Sequence, residues 1–216
     1  MARLRLGVMI SGRGSNLQAL IDACLGLAFP AEVACVVSNV RSAGGIERAR
    51  AVGIPSVVVP HKPYPTREAF EADLTRVLYA HGVDLVCNAG FMRILTPSFF
   101  ETWPDRVINI HPSLLPAFPG LRTHERVLAA GCRFSGCTVH FSRPELDSGP
   151  IIVQAVVPVR QTDTPATLAE RVLAEEHRIY PLAVRWLAEG RVQLDGDKAV
   201  VSGVEVADGA LVNPDG

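Results

Sequence analysis

The chain has no excess of either charge. Over 216 residues, 21 Lys and Arg stand against 22 Asp and Glu, a formal net charge of −1. No global field draws it to nucleic acid or to an anionic membrane, so an anion site must be built locally. No run approaches the ~20 consecutive apolar residues of a membrane span. The opening Met1-Ala2-Arg3-Leu4-Arg5 leads straight into a strand-like segment, unlike the basic, apolar, cleavable layout of a secretory signal. Cysteine is sparse: Cys24, Cys35, Cys87, Cys132 and Cys137 form no Cys-x-x-Cys pair and are odd in number. Reduced, mainly buried thiols in a cytoplasmic protein are expected. Gly-Lys-Ser/Thr, Gly-x-Ser-x-Gly and His-Glu-x-x-His are all missing. Their absence argues against a nucleoside-triphosphate P-loop, a nucleophile elbow and a zinc-protease helix. There is no internal repeat and no low-complexity tract. With 48% hydrophobic and 20% charged residues, one domain over residues 1–216 is the most economical reading.

What is present alternates between two periods. Leu4 to Ile10, Ala31 to Ser38, Ile54 to Val59, Val83 to Ala89 and Val107 to Ile110 are apolar, strand-like runs. Between them, Leu17, Leu20, Ile21, Cys24 and Leu25 recur at helical spacing, as do Phe70, Leu74, Val77, Leu78 and His81 after Thr66. Short helices are expected over Gly44 to Val52 and from Pro97. This predicts an α/β fold: a Rossmann-like, mostly parallel sheet flanked by helices. The second half changes character. After a helix over Arg122 to Ala130, strands Ser135 to Phe141 and Ile151 to Val157 read as an antiparallel extension. Thr164-Pro165 starts a long helix with Leu168, Val172, Ile179, Ala183 and Trp186 inward and a kink at Pro181. A small hairpin is expected over residues 192–206, and a frayed end from Asn213 to Gly216.

Two constellations carry chemistry. The first is strand, then Gly12-Arg13-Gly14-Ser15-Asn16, then helix. Glycine lets the backbone approach an anion closely, and free N–H groups at the helix start point at it. A dinucleotide fingerprint would place a third glycine at Leu17 and an acid after the second strand, which instead ends Ser38-Asn39. Arg41 leaves an NADP reading open, and a tight turn capped by Ser15 or Asn16 is the bland one.

The second constellation is Asn109 and His111, at i and i+2 of a strand and so on one face, with Asp147 from a later turn. An amide can donate to a developing oxyanion, an imidazole can exchange protons near neutrality, and a carboxylate can orient it. Taken singly, each has a structural reading as core histidine, strand-end cap or turn former. A hydrolase using Ser113 and a metal site of His111, His140 and Asp147 draw on the same region. His61, His81, His124, His140 and His177 read mainly as structural or surface residues, with His124 and His140 nearest the loops in question.

Assembled, these residues resemble the phosphoribosylglycinamide formyltransferases, a branch of the folate-dependent formyltransferases. The matching stretches are ISGRGSNLQALIDA at Ile10 to Ala23, AGFMRILTPSF at Ala89 to Phe99, and NIHPSLLPAFPGLRTH at Asn109 to His124. GCTVHF from Gly136, ELDSGPII from Glu145 and EEHRIYPL from Glu175 extend the match. The resemblance implies transfer of a formyl group from 10-formyltetrahydrofolate, a co-substrate, to the amine of glycinamide ribonucleotide in purine biosynthesis, without a metal. It implies that Gly12, Arg13, Gly14, Ser15 and Asn16 hold the ribonucleotide phosphate and that Glu176 meets its ribose. Arg67, Met92, Arg93, Ile94, Leu95, Asn109, Arg143, Pro144, Glu145, Leu146 and Asp147 would line the folate pocket, with Asn109, His111 and Asp147 catalytic. The N-terminal half would serve the ribonucleotide and the C-terminal half the folate. Two positions depart from the pattern. Arg13 occupies a position that varies in such enzymes, and Leu173 stands where a polar substrate contact is implied.

The expected partners are small molecules, without nucleic acid or membrane, and the expected assembly is a monomer or homodimer. A methionyl-tRNA formyltransferase would carry a further C-terminal domain and a basic surface. A formyltetrahydrofolate hydrolase would carry an N-terminal regulatory domain. An NADP-binding oxidoreductase or a non-catalytic nucleotide-binding module would explain the glycine loop but not Asn109, His111 and Asp147 together.

Overall fold

A computed structural model describes residues 2–205 and 209–214. The first half builds β1 (Leu4–Ile10), α1 (Ser15–Leu25), β2 (Ala31–Ser38), α2 (Gly44–Ala51), β3 (Ser56–Val58), α3 (Arg67–Ala80), β4 (Leu85–Asn88), α4 (Pro97–Thr102) and β5 (Val107–His111). The second half adds α5 (Thr123–Ala129), β6 (Phe134–Phe141), β7 (Ile151–Pro158), α6 (Pro165–Ala188), β8 (Val192–Asp195) and β9 (Lys198–Val201).

Seven strands form one sheet in the order β3-β2-β1-β4-β5-β6-β7. Pairings from β3 through β5 are parallel, and β5–β6 and β6–β7 are antiparallel. The alternation of strand and helix periods accounts for the parallel part, because each helix returns the chain to the same end of the sheet. Both faces are covered. Leu6, Val8, Ile10, Cys87, Ile108 and Ile110 pack with α1 and α6 through Leu17, Leu20, Val172, Ile179 and Val184. Met9, Val37, Val86 and Val107 pack on the other face with Phe70, Leu74, Phe99 and Trp103. Such two-sided burial explains why these strands read as continuous apolar runs.

The differences from expectation lie at the ends. Leu25 is 67% exposed, because α1 stops there and only Leu17, Leu20, Ile21 and Cys24 of its stripe reach the core. Helix α6 is continuous through Pro181, where the backbone has no amide to donate to the carbonyl one turn back. Thr164 caps this helix by accepting from the Thr167 N–H, with Pro165 in its first turn. Trp186 is half-buried against the core rather than fully inside it. β8 and β9 form the expected hairpin. Residue 206, at its expected end, and residues 215–216 of the expected frayed end lie outside the described residues.

The order of strands determines where a site can form. The chain leaves β1 toward β2 and β3 on one side, then crosses back to β4 and β5 on the other. Loops leaving the C-terminal ends of β1 and β4 therefore diverge and open a crevice between them.

Candidate active site

The loop after β1 occupies one wall of that crevice. Gly14 caps α1 in the left-handed conformation, φ 72° and ψ 35°, and no side chain caps the helix. Its first amides are thus left to a ligand or water. Two hydrogen bonds from α2 hold the loop. The Gly45 N–H donates to the Gly12 carbonyl at 3.1 Å, and Arg48 Nε donates to the Arg13 carbonyl at 3.0 Å. In a trans peptide the N–H points opposite to the C=O. Drawing both carbonyls toward α2 therefore turns the Arg13 and Gly14 amides outward, alongside those of the helix start. A Cβ on Gly14 would lie 2.6 Å from the Gly45 Cα, so loop and helix interlock through two glycines. Asn16 Nδ2 donates to Glu176 at 2.6 Å, tying the loop to α6. Burial raises the Glu176 carboxyl above the ordinary range, and the Asn16 hydrogen bond lowers it in part.

Ser11 couples the two walls. Its N–H donates to the Gly90 carbonyl at 3.0 Å, and its hydroxyl accepts from the Met92 N–H at 2.8 Å. That hydroxyl donates in turn to Asn39 Oδ1, while Asn39 Nδ2 turns to His61 Nδ1 at 3.2 Å.

Three polar side chains stand side by side at the sheet's end. Asn88 of β4 is in register with Asn109 of β5, which is opposite His140 of β6, so all three share a face. His140 Nδ1 lies 2.9 Å from the Phe141 carbonyl and 3.0 Å from that of Ser148. Carbonyls only accept, so Nδ1 carries the proton and Nε2 of the neutral ring is an acceptor. Asn109 Nδ2 donates to it at 3.3 Å. This assigns the amide's orientation and leaves its second N–H available. Burial lowers the His140 pKa and keeps the ring neutral, against smaller raising effects that include Asp147.

Asp147 arrives on the turn before β7. Gly149, with φ 108°, lets that turn lie against β6: a Cβ there would come within 2.2 Å of the Phe141 carbonyl oxygen. Asp147 is itself left-handed, φ 49°. Its Oδ2 accepts from the Gly120 N–H at 2.6 Å and faces His111 Nδ1 at 3.3 Å. His111 Nε2 donates to the Phe118 carbonyl at 3.0 Å. Two acceptors thus flank the imidazole. Thr138 braces the loop behind it, accepting from the Leu115 N–H at 3.1 Å and donating to the Ser113 carbonyl at 2.7 Å.

A cleft opens beside these groups, lined on one side by Phe91, Arg93, Ile94, Leu95 and Phe100 and on the other by residues 142–148. Asn88, Asn109 and His140 form its polar floor. Ile94 and Leu146 are 54% and 57% exposed at its mouth, apolar surface of the kind a flat ring covers. Arg143 donates to Asp105 at 2.7 Å and anchors one lip. Two positions expected to line the cleft lie elsewhere. Met92 points to solvent, 63% exposed, because its amide is turned back to Ser11. Arg67 is exposed in the first turn of α3 and does not line the cleft. His111 is 5% exposed, with Nδ1 beside the Asp147 carboxylate.

The formyl transferase family model matches residues 4–184. The chain belongs to the formyl transferase family. It is 44% identical over 200 residues to phosphoribosylglycinamide formyltransferase of Escherichia coli K12, covering 93% of this chain and 94% of that one. It is 46% identical over 192 residues to the human trifunctional purine biosynthetic protein adenosine-3, covering 89% of this chain but 19% of the human one. The chain thus spans about a fifth of that trifunctional relative's length. A crystal structure of glycinamide ribonucleotide transformylase 1 from Symbiobacterium toebii superposes with a TM-score of 0.90 at 49% identity. The match covers 92% of this chain and 94% of that one.

Within this member of the formyl transferase family, the rival uses of the same residues find no geometry. Ser113 is 1% exposed, and its hydroxyl donates to the Ala117 and Phe118 carbonyls, so it is not poised as a nucleophile. Asn39 is committed to Ser11 and His61 and offers nothing to a ribose. Among the described residues no three His, Cys, Asp or Glu side chains gather as a metal site would need. The sequence marked His140 only for its place near the loops, and did not single out the Gly45–Arg48 support or Glu71. Glu71 is buried in α3 and accepts from both the Thr96 N–H, at 2.9 Å, and the Thr96 hydroxyl. It thereby fastens the end of the 91–95 wall. A carboxylate inside an otherwise apolar helix stripe was the available signal for it.

Proposed function

We propose that the chain transfers the formyl group of 10-formyltetrahydrofolate to the amine of glycinamide ribonucleotide, the reaction after which its full-length bacterial relatives are named. The observation that carries this reading is the second, uncommitted N–H of Asn109. It faces a cleft with one apolar wall, beside a carboxylate paired to an imidazole. The folate's ring would occupy the cleft between Ile94-Leu95 and the Arg143-Pro144-Glu145-Leu146 lip, and the ribonucleotide phosphate would lie on the Gly12 to Asn16 loop. Glu176, joined to Asn16, is positioned to meet the ribose.

The chemistry follows from these placements. The neutral amine attacks the formyl carbon and forms a tetrahedral oxyanion. Asn109, held by His140, donates to that oxygen, and a preorganised donor of this kind is worth about 10²–10³ in rate. Asp147 accepts the proton released by the new ammonium and passes it toward the departing folate nitrogen. His111 balances the charge of Asp147 from behind, and it reaches the oxyanion itself once Nε2 leaves the Phe118 carbonyl. This route uses hydrogen-bond donors and a carboxylate and no metal ligand. One unit over residues 1–216, a cytoplasmic setting for the five free thiols and a monomeric or homodimeric assembly complete the reading. The test is absorbance on mixing the protein with 10-formyltetrahydrofolate, with and without glycinamide ribonucleotide. Deformylation that requires the ribonucleotide is expected. Equal deformylation without it, or none with it, overturns the reading.

A further inference from the structure

The floor of the cleft holds one side chain for which the mechanism has no use. Asn88 is 9% exposed, lines the cleft, and has a fully buried Oδ1 with no hydrogen-bond partner. Its neighbour Asn109 is paired to His140. Across the face from Asn88 lie Leu95, Phe99 and Val86, all buried and apolar. The backbone at Asn88 is held from the opposite face, where the Tyr180 hydroxyl donates to its carbonyl at 2.9 Å. The strand end that carries the side chain is therefore fixed, in register with Asn109.

A buried amide oxygen without a partner is unfavourable, and an apolar residue of similar volume would cost nothing there. Leucine is nearly isosteric and would continue the apolar wall. A carboxamide in its place makes sense when the bound molecule supplies the missing partner. A reduced pteridine carries ring N–H groups, an exocyclic amine and a carbonyl, so it can both donate to and accept from an amide. A purely hydrocarbon ring would leave both Asn88 and the pocket unsatisfied.

We infer that Asn88 is a specificity-determining residue of this cleft, its carboxamide hydrogen-bonding to the pteridine ring of the folate. The inference rests on the formyl-transfer reading of the same site and extends it to a residue adjoining the catalytic amide. Selection arises because a site built around a polar group rejects a ligand that lacks the partner more strongly than an apolar pocket rejects an added one.

The test compares Asn88→Leu with the unmodified protein by calorimetric titration of 10-formyltetrahydrofolate and, separately, of glycinamide ribonucleotide. Circular dichroism and thermal melting establish that the variant is folded. The expected result is a loss of folate affinity of about tenfold, the scale of one hydrogen bond to a desolvated partner. Ribonucleotide affinity should be unchanged, and KM for the folate should rise more than kcat falls. Folate binding by Asn88→Leu as tight as wild type, or tighter, overturns the inference and makes Asn88 a water-bonded structural residue. Failure of the unmodified protein to bind the folate at all would instead overturn the functional reading itself.

Discussion

Asp147 joins the cleft to the buried imidazole, and its backbone is as informative as its carboxylate. A non-glycine residue at φ 49° carries strain of about 1 kcal/mol or more, and Asp and Asn are the side chains that tolerate it best. Asp147→Asn is therefore a clean probe. The variant should keep the turn, the Gly120 contact and the fold, while losing the charge that pairs with His111 and takes the proton. A fall in kcat of about 10² or more with a nearly unchanged melting temperature is expected from steady-state kinetics beside thermal denaturation. Near-normal turnover would remove Asp147 from the mechanism. At this scale the sequence singled out Asn109, His111 and Asp147 as candidates, because polar residues at a strand's end and in a glycine-bounded turn stand out from their surroundings. It did not show His140 as the partner of Asn109. That pairing depends on antiparallel register between β5 and β6, which local pattern does not encode.

At the scale of elements, the anion loop is only as good as the helix behind it. Helix α2 contributes Gly45 and Arg48, which hold the Gly12 and Arg13 carbonyls and so aim the loop amides outward. A Cβ on Gly45 would meet Ile10 Cδ1 at 2.4 Å and the Gly14 Cα at 3.2 Å. The Ile10 methyl can rotate aside, but the Gly14 backbone can yield only by moving the loop. Gly45→Ala should thus raise KM for the ribonucleotide about tenfold or more, since sub-ångström misplacement of a binding group is costly, and leave KM for the folate within about twofold. Equal effects on both constants would show a general loss of packing instead. The glycine loop itself was readable from its order of strand, glycines and helix. Its support was not, because Gly44-Gly45 looks like an ordinary turn before a short helix until the parallel pairing of β1 and β2 sets α2 beside the loop.

Across the whole molecule, strands buried on both faces and helices with one apolar stripe made the α/β sheet, and even its antiparallel edge, predictable from period alone. Element ends moved by a residue or two, where capping and packing rather than period decide. What the pattern left out were polar groups inside the core, and these make stability depend on pH. Burial raises the Glu71 carboxyl, outweighing its two bonds to Thr96. Its folded pKa lies above the ordinary 4.5, so between those values the native state holds more protons than the unfolded chain. Its contribution is full below pH 4.5 and is lost as pH rises through the folded value. Glu71→Gln, which cannot ionise, should therefore gain in melting temperature relative to wild type as pH is raised from 4.5 to 7. A constant or shrinking difference in thermal denaturation would contradict that sign.

The claim on which everything else rests is that the cleft and the glycine loop serve one reaction between two bound molecules. The most direct measurement is to follow a ¹³C-labelled formyl group from 10-formyltetrahydrofolate by NMR in the presence of glycinamide ribonucleotide. The account predicts that the label appears as a formamide on the ribonucleotide's glycyl nitrogen, with none released as formate. Label accumulating as free formate, at a rate indifferent to the ribonucleotide, would contradict it.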